Sequence, residues 1–371
     1  IPSPFDPRLI RKAPPAVAKA AMETGVARKA IVDMEQYSSD LSARLNPSEG
    51  LLQKIFQEVK ENPKRVIFTE GEEEDMIRSA TIFLNNGMGT PILIGREEII
   101  KQKMSDIGLD FFDQMEIHST RNKSEHDRYA EHIYGRLQRK GFLKKDCLEL
   151  LSNERNVFAA CMVSLNDADA MICGLTRSYA ASLESIEYVL DPIPNKTILG
   201  MTVMLCNGRT IFVADSNVHD MPNAKQLANI TQESAEVVRD VFGIEPRAAL
   251  VSYSNFGKPF TERSVYMKDA IKILDERNVD FEYDGEMGAN IALNENLMKL
   301  YPFCKLTGPA NLLVMPAIHS ASISTKMLQE LGGGNLVGPY LVGFKERIQI
   351  APHGANVSDI VNLAALAAYK S

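Results

Sequence analysis

The chain has 371 residues with 41 basic and 48 acidic side chains, and its net charge of −7 argues against a general nucleic-acid surface. Hydrophobic residues make up 45% and charged residues 24%, an ordinary globular balance. No apolar run reaches the roughly 18 residues that would span a bilayer, and no signal peptide is visible. Five scattered cysteines (Cys147, Cys161, Cys173, Cys206, Cys304) form no CxxC pair, which predicts reduced thiols and a cytoplasmic protein. The length allows two domains or one large one, and the start at Ile1 reads as a fragment of a longer chain.

Residues 1–45 differ from the rest. IPSPFDPRLIRKAPPAVAKAAMETGVARKAI holds five prolines, and within it AVAKAAMETG reads as one helix ended by Gly25. From Pro47 the pattern becomes regular. SEGLLQKIFQEVKENP has helical apolar spacing with Ser48 as N-cap. RVIFTEG reads as a buried strand, EEDMIRSATIFLNNG as a helix with a glycine stop, and TPILIG as a second strand. NVFAACMVSLNDADA is helical and leads into the strand AMICG. TILGMTVMLCNGRTIFVAD gives two strands around Asn207–Gly208, a hairpin signal. AKQLANITQESAEVVRDVFG is a long amphipathic helix and RAALVSYSN a strand, and NLLVMPAI, a helix and LVGPYLVGF complete the series. Such alternation predicts an α/β protein with largely parallel sheets covered by helices on both faces.

In that fold class the loops after strand ends carry the chemistry. Five qualify: TEGEEED (69–75), CGLTRSY (173–179), VADSNVHDMPN (213–223), VSYSNFGKP (251–259) and MPAIHSASIS (315–324). The turn QIAPHGANVSDIVN (349–362) is a sixth. Ser, Thr, Asn and Gly with an occasional base suit a phosphorylated ligand held by backbone N–H groups, although the same residues are ordinary in loops. His219, His319 and His353 each lie in such a loop, but their spacing gives no metal-ligand pattern. Arg177 is the natural anion ligand, with a surface salt bridge as the competing reading. GGGN (332–335) follows a helix and reads as a C-cap, and KGFLKKD (140–146) as a solvated charge run.

Seven ordered blocks together resemble phosphotransacetylases, over residues 48–371: FTEGEEEDMIRSA, DADAMICG, IFVADSNVHDMPNAKQLANI, FGIEPRAALVSYSNFG, DGEMGANIAL, LGGGNLVGPYLVGF and SDIVNLAALAA. The resemblance implies two three-layer α/β/α domains with largely parallel sheets, the second inserted into the first, and the cleft between them. On that basis the expected boundaries are 46–195 plus 336–371 for the first domain and 196–335 for the second. The family moves an acetyl group between coenzyme A and phosphate, and its C-terminal turn reads Ser-Arg-Gly followed by an Asp that takes the thiol proton. Here the Ser position is Pro352 and the Arg position is His353, while Gly354 and Asp359 match. Two further family arginines fall on Glu184 and Leu137. Acetyl transfer builds negative charge on phosphate and thiolate that fixed donors must meet, and proline offers neither a polar side chain nor an N–H.

The segment IPSPFDPRLI with AVAKAAMETGVARKAI resembles the end of the catalytic part of NADP-dependent malic enzymes, some of which carry a phosphotransacetylase-like domain next. The resemblance implies a regulatory domain that binds acetyl-CoA as effector, and loop position points to Arg177, Ser178, Asn255, Lys258, His319, His353, Gly354 and Asp359 as ligand residues. It implies no transacetylation and no metal. It also implies a homodimer through the inserted domain, a higher oligomer, and no membrane or nucleic-acid partner. NADP, the divalent metal and the oxidative decarboxylation of malate to pyruvate would belong to a part absent from this sequence, which has no GxGxxG after a strand. The competing readings are an active phosphate acetyltransferase with His353 in place of arginine, and a scaffold that binds no ligand.

Overall fold

The computed structural model describes residues 8–27, 29, 31, 33, 34, 37, 47–109, 114–121, 126–206, 208–258, 262–332 and 335–369. Its strands in chain order are β1 Lys64–Phe68, β2 Gly89–Ile94, β3 Glu116–His118, β4 Ala170–Cys173, β5 Leu199–Cys206, β6 Arg209–Ala214, β7 Arg247–Val251, β8 Glu282–Met287, β9 Leu312–Val314, β10 Asn335–Val342 and β11 Arg347–Ile350. They form two sheets. The first has the order β11-β4-β1-β2-β3 and is parallel throughout. The second has the order β10-β5-β6-β9-β7-β8 and is parallel from β6 to β8. Antiparallel pairing enters it only through β5, with β6 on one side and β10 on the other.

The continuous apolar run of β1 has a direct cause. Val66 and Phe68 enter one hydrophobic cluster and Ile67 enters another, so both faces of the strand are buried. Helices Glu74–Asn85 and Val357–Ala368 supply the first cluster, and helices His126–Leu137, Arg155–Ser164 and Tyr179–Glu187 the second. The first cluster continues into the second sheet through Met201, Phe212 and Val314, so the two sheets share a core. Two α/β units with mostly parallel sheets were the expectation, and they are what the chain forms.

Two details differ from the sequence reading. The return to the first unit was expected at residue 336, but Asn335–Val342 pairs with β5, so the chain rejoins the first sheet only at Arg347. Hydrophobic runs cannot distinguish which sheet a strand joins. In the tail the helix covers Arg8–Glu23 rather than 16–25, with Pro14 and Pro15 inside it, and Gly25 takes a left-handed φ of 73°. The hairpin pairs Cys206 with Arg209 as expected. Asn207, the Ser48 side chain, Gly333, Gly334 and most of residues 28–46 lie outside the described residues. Among the described residues no helix is long and apolar enough to cross a membrane.

Candidate functional site in the cleft between the sheets

The turn after β11 explains its own composition. Pro352 presents its carbonyl to the Ala355 N–H at 3.0 Å, and Gly354 sits at φ 81°, where a side chain would be strained. Asn356 then caps helix Val357–Ala368. Its Oδ1 accepts from the Asp359 N–H at 3.0 Å, and Asp359 Oδ2 accepts from the Asn356 N–H at 3.1 Å. His353 stays exposed, its Nδ1 3.1 Å from the Leu175 carbonyl oxygen, which ties the turn to the loop after β4.

Pro352, His353, Gly354, Ala355 and Asp359 form one wall of a cavity of about 220 Å3. The opposite wall comes from the second sheet: Thr202 on β5, Ser216 and Asn217 after β6, and Gly338 and Pro339, where the register of β10 breaks. Helix Ile318–Gly332 adds Ser322, Thr325, Lys326 and Gln329. Lys326 is the only lysine or arginine of the lining and makes no ion pair among the described residues. Burial raises the Asp359 carboxyl above the ordinary aspartate range, against the opposing pull of the Asn356 N–H.

The hydroxyl wall is held by a buried carboxylate. Asp215, 2% exposed, accepts N–H bonds from Gly200, Asn217, Val218 and His219 at 2.7–3.2 Å. The His219 ring nitrogen Nδ1 lies 2.7 Å from its Oδ2. The Thr202 hydroxyl donates to Ser216 Oγ at 2.9 Å, and Ser216 donates to the Gly200 carbonyl at 3.0 Å. His219 is therefore an orienting partner of Asp215.

Of the sequence-selected residues, the cavity gathers His353, Gly354, Asp359 and the altered Pro352. The others have different neighbours. Arg177 pairs with Glu154, the competing reading of that residue. Ser178 caps helix Tyr179–Glu187 by accepting from the Ala181 N–H at 3.3 Å. Asn255 accepts from the Gly288 N–H at 2.7 Å, and Lys258 stands exposed beside it. His319 lies 3.4 Å from Asp220 on the surface. Glu184 is exposed and accepts from the Tyr188 hydroxyl at 3.3 Å. Leu137 is 1% exposed, packed into the core, so the arginine assigned to its position has no counterpart facing the cleft. Ser216, Asn217 and Ser322 lie in the selected loops 213–223 and 315–324 without having been singled out, and Thr202, Thr325, Lys326 and Gln329 were missed. The last three of these sit on helix Ile318–Gly332 and Thr202 inside a strand, where loop composition gives no signal.

The first sheet keeps its own crevice, between β1 and β4, closed. Glu70 is 4% exposed and accepts from the Gly174 N–H at 3.0 Å and the Thr69 hydroxyl at 2.7 Å. Its carboxyl fills the place where such sheets receive ligands, and burial raises its pKa. Next to it Glu72 accepts from Arg96 Nη2 at 2.9 Å and from the Arg96 N–H at 2.9 Å, with Arg155 3.1 Å away. These bonds, the Arg96 side chain first, lower the Glu72 carboxyl to about 2. Its stabilisation is present above the unfolded value of roughly 4.3 and is lost as pH falls through about 2. Arg96 is half exposed, so Glu72→Gln should cost only about 2 kcal/mol at neutral pH. Urea melts from pH 7 to pH 3 should show wild type and variant converging as the pH falls, and parallel curves would remove this role.

The model of the phosphate acetyl/butaryl transferase family matches residues 50–368. The chain belongs to this family. It is 51% identical over 372 aligned positions to an NADP-dependent malic enzyme of Rhizobium meliloti (strain 1021), covering 100% of this chain and 49% of that protein. It is 31% identical over 320 positions to a phosphate acetyltransferase of Treponema pallidum (strain Nichols), covering 83% of this chain and 95% of that one. The structure of the EutD phosphotransacetylase from Staphylococcus aureus superposes with a TM-score of 0.76 at 24% identity, over 86% of this chain and 97% of that one, a likeness of fold. The chain thus spans about half the length of the malic enzymes it matches and nearly all of the transferase.

Proposed function

We propose that this family member is the regulatory half of a cytoplasmic NADP-dependent malic enzyme, binding acetyl-CoA in the cleft without transferring its acetyl group. The observation that carries the reading is the pairing of Pro352 and His353 with a retained polar cavity. The cleft has Lys326 and four hydroxyl side chains to hold an anionic ligand. Yet at the turn it has a residue with no N–H and no polar side chain. Malate decarboxylation, NADP and the divalent metal belong in this reading to the other half. Homodimerisation through the second unit is supported by Ile323, Met327 and Leu331, an exposed apolar stripe at helical spacing on the helix whose other face lines the cavity.

The test is release of free coenzyme A from acetyl-CoA with and without phosphate, followed by calorimetric titration of acetyl-CoA. The expectation is no phosphate-dependent release but saturable binding. Lys326→Ala should weaken binding about tenfold, the size of one charge-assisted hydrogen bond. Phosphate-dependent release near the rate of an active phosphotransacetylase would establish the second reading, a working phosphate acetyltransferase. That reading draws support from Asp359, whose raised pKa suits a proton acceptor facing the cavity. Absence of both release and binding would leave a scaffold.

A further inference from the structure

A second cavity lies at the other end of the strands that wall the cleft. β10 runs from the cleft cavity (Leu336–Pro339) into a second cavity at Tyr340–Val342. β11 leaves that second cavity at Arg347–Gln349 and returns to the cleft at Pro352. Its volume is about 290 Å3, near the lower end of small-molecule sites (roughly 300–1,000 Å3). Helix Ala224–Asp240 closes it from the second unit, the end of helix Val357–Ala368 from the first.

Two polar side chains of this lining, one buried and one half-buried, have few partners among the described residues. Tyr340 is 8% exposed, and its hydroxyl makes no hydrogen bond among the described residues. Arg347 makes no ion pair among them; its one side-chain hydrogen bond is a long one, 3.4 Å from Nη1 to the Ala368 carbonyl. Burial raises the Tyr340 phenol to about 12 while Arg347 pulls it down, so guanidinium and hydroxyl address the same space. Two of the four acids of the rim are engaged. Both oxygens of Glu233 accept the Thr197 N–H at 2.8 Å, and Glu236 pairs with Lys196. The walls between are apolar, chiefly Val237, Phe344 and Leu366.

We infer that this second cavity is a binding site for a small organic monocarboxylate with an apolar body. Its carboxylate receives a forked pair of bonds from Arg347 and a third from the Tyr340 hydroxyl, and its body lies on the apolar walls. A single negative charge fits better than a phosphate dianion, because Glu233, Glu236, Asp240 and Glu346 outnumber Lys196 and Arg347 around the space.

The probe is hexanoate, with hexan-1-ol and hexylamine as controls of the same body, titrated by calorimetry into the full chain. Hexanoate is expected to bind with a Kd at or below about 1 mM, at least tenfold tighter than either control. Arg347→Met should weaken it at least tenfold. Tyr340→Phe, which keeps the packing, should weaken it several-fold with an unchanged Tm. Lys326→Ala, in the cleft, should leave it unaltered, which separates this site from the acetyl-CoA proposal. No heat up to about 10 mM, equal affinity for the alcohol, or equal affinity in the Arg347 and Tyr340 variants would overturn the assignment.

Discussion

Replacing Pro352 with serine and His353 with arginine together should raise phosphate-dependent release of coenzyme A from acetyl-CoA by at least ~10², from a wild-type level at background. Each fixed donor lost from a site where charge develops costs on the order of 10²–10³ in rate. The turn can accept both changes. Pro352 contributes only its carbonyl to the Ala355 N–H, a bond serine keeps, and position 353 is exposed, so an arginine meets no wall. The left-handed Gly354 and the Asn356–Asp359 capping pair already set the turn's path, so the new groups would enter a preformed site. Single variants should gain much less, because donor pairs aimed at one charge act as a unit. If the wild type turns over like an active phosphotransacetylase, the proline has no consequence for chemistry. If the double variant stays silent with an unchanged Tm, the deficit lies beyond the turn, and the missing cleft-facing arginines become the explanation.

What the sequence revealed, and what it hid, divides along physical lines. β1 and β4 were legible because strands buried on both faces must be apolar without interruption, as Val66–Phe68 and Ala170–Cys173 are. β8 was passed over because EYDGEM looks like a loop. Two of its three acids are nonetheless buried and bonded to backbone: Asp284 accepts from the Lys305 N–H at 2.7 Å and Glu286 Oε1 from the Gly257 N–H at 2.7 Å. Composition records that an acid is present and cannot record that a neighbouring chain segment satisfies it. The site shows the same limit. The turn at 352–359 announced itself by its residues, whereas Arg177, Asn255 and His319 are as suggestive in a string of letters and are taken up by local partners. Lys326 sits mid-helix among residues of no special character, and only the crossing of two sheets puts it opposite His353.

Asp215→Ala should be the most damaging single substitution near the cleft, costing about 3–5 kcal/mol and weakening ligand binding there. The carboxylate is buried and is the shared acceptor for four backbone N–H groups and faces the His219 ring. Alanine leaves all of these without their acceptor, and few can turn to water. Asp215→Asn keeps one oxygen but points an amide NH2 at groups that are themselves donors, so it should recover less than half of the loss. His219→Ala removes one member of the set at a partly accessible position and should cost about 1 kcal/mol. Urea melts with unchanged m would measure all three, and a loss below about 1 kcal/mol for Asp215→Ala would show that water replaces the carboxylate. The functional consequence follows from geometry. Ser216 and Asn217 reach the cavity only because the loop is wound around Asp215, so a variant still folded at low temperature should bind acetyl-CoA less well than Lys326→Ala, which removes a charge and leaves the wall standing.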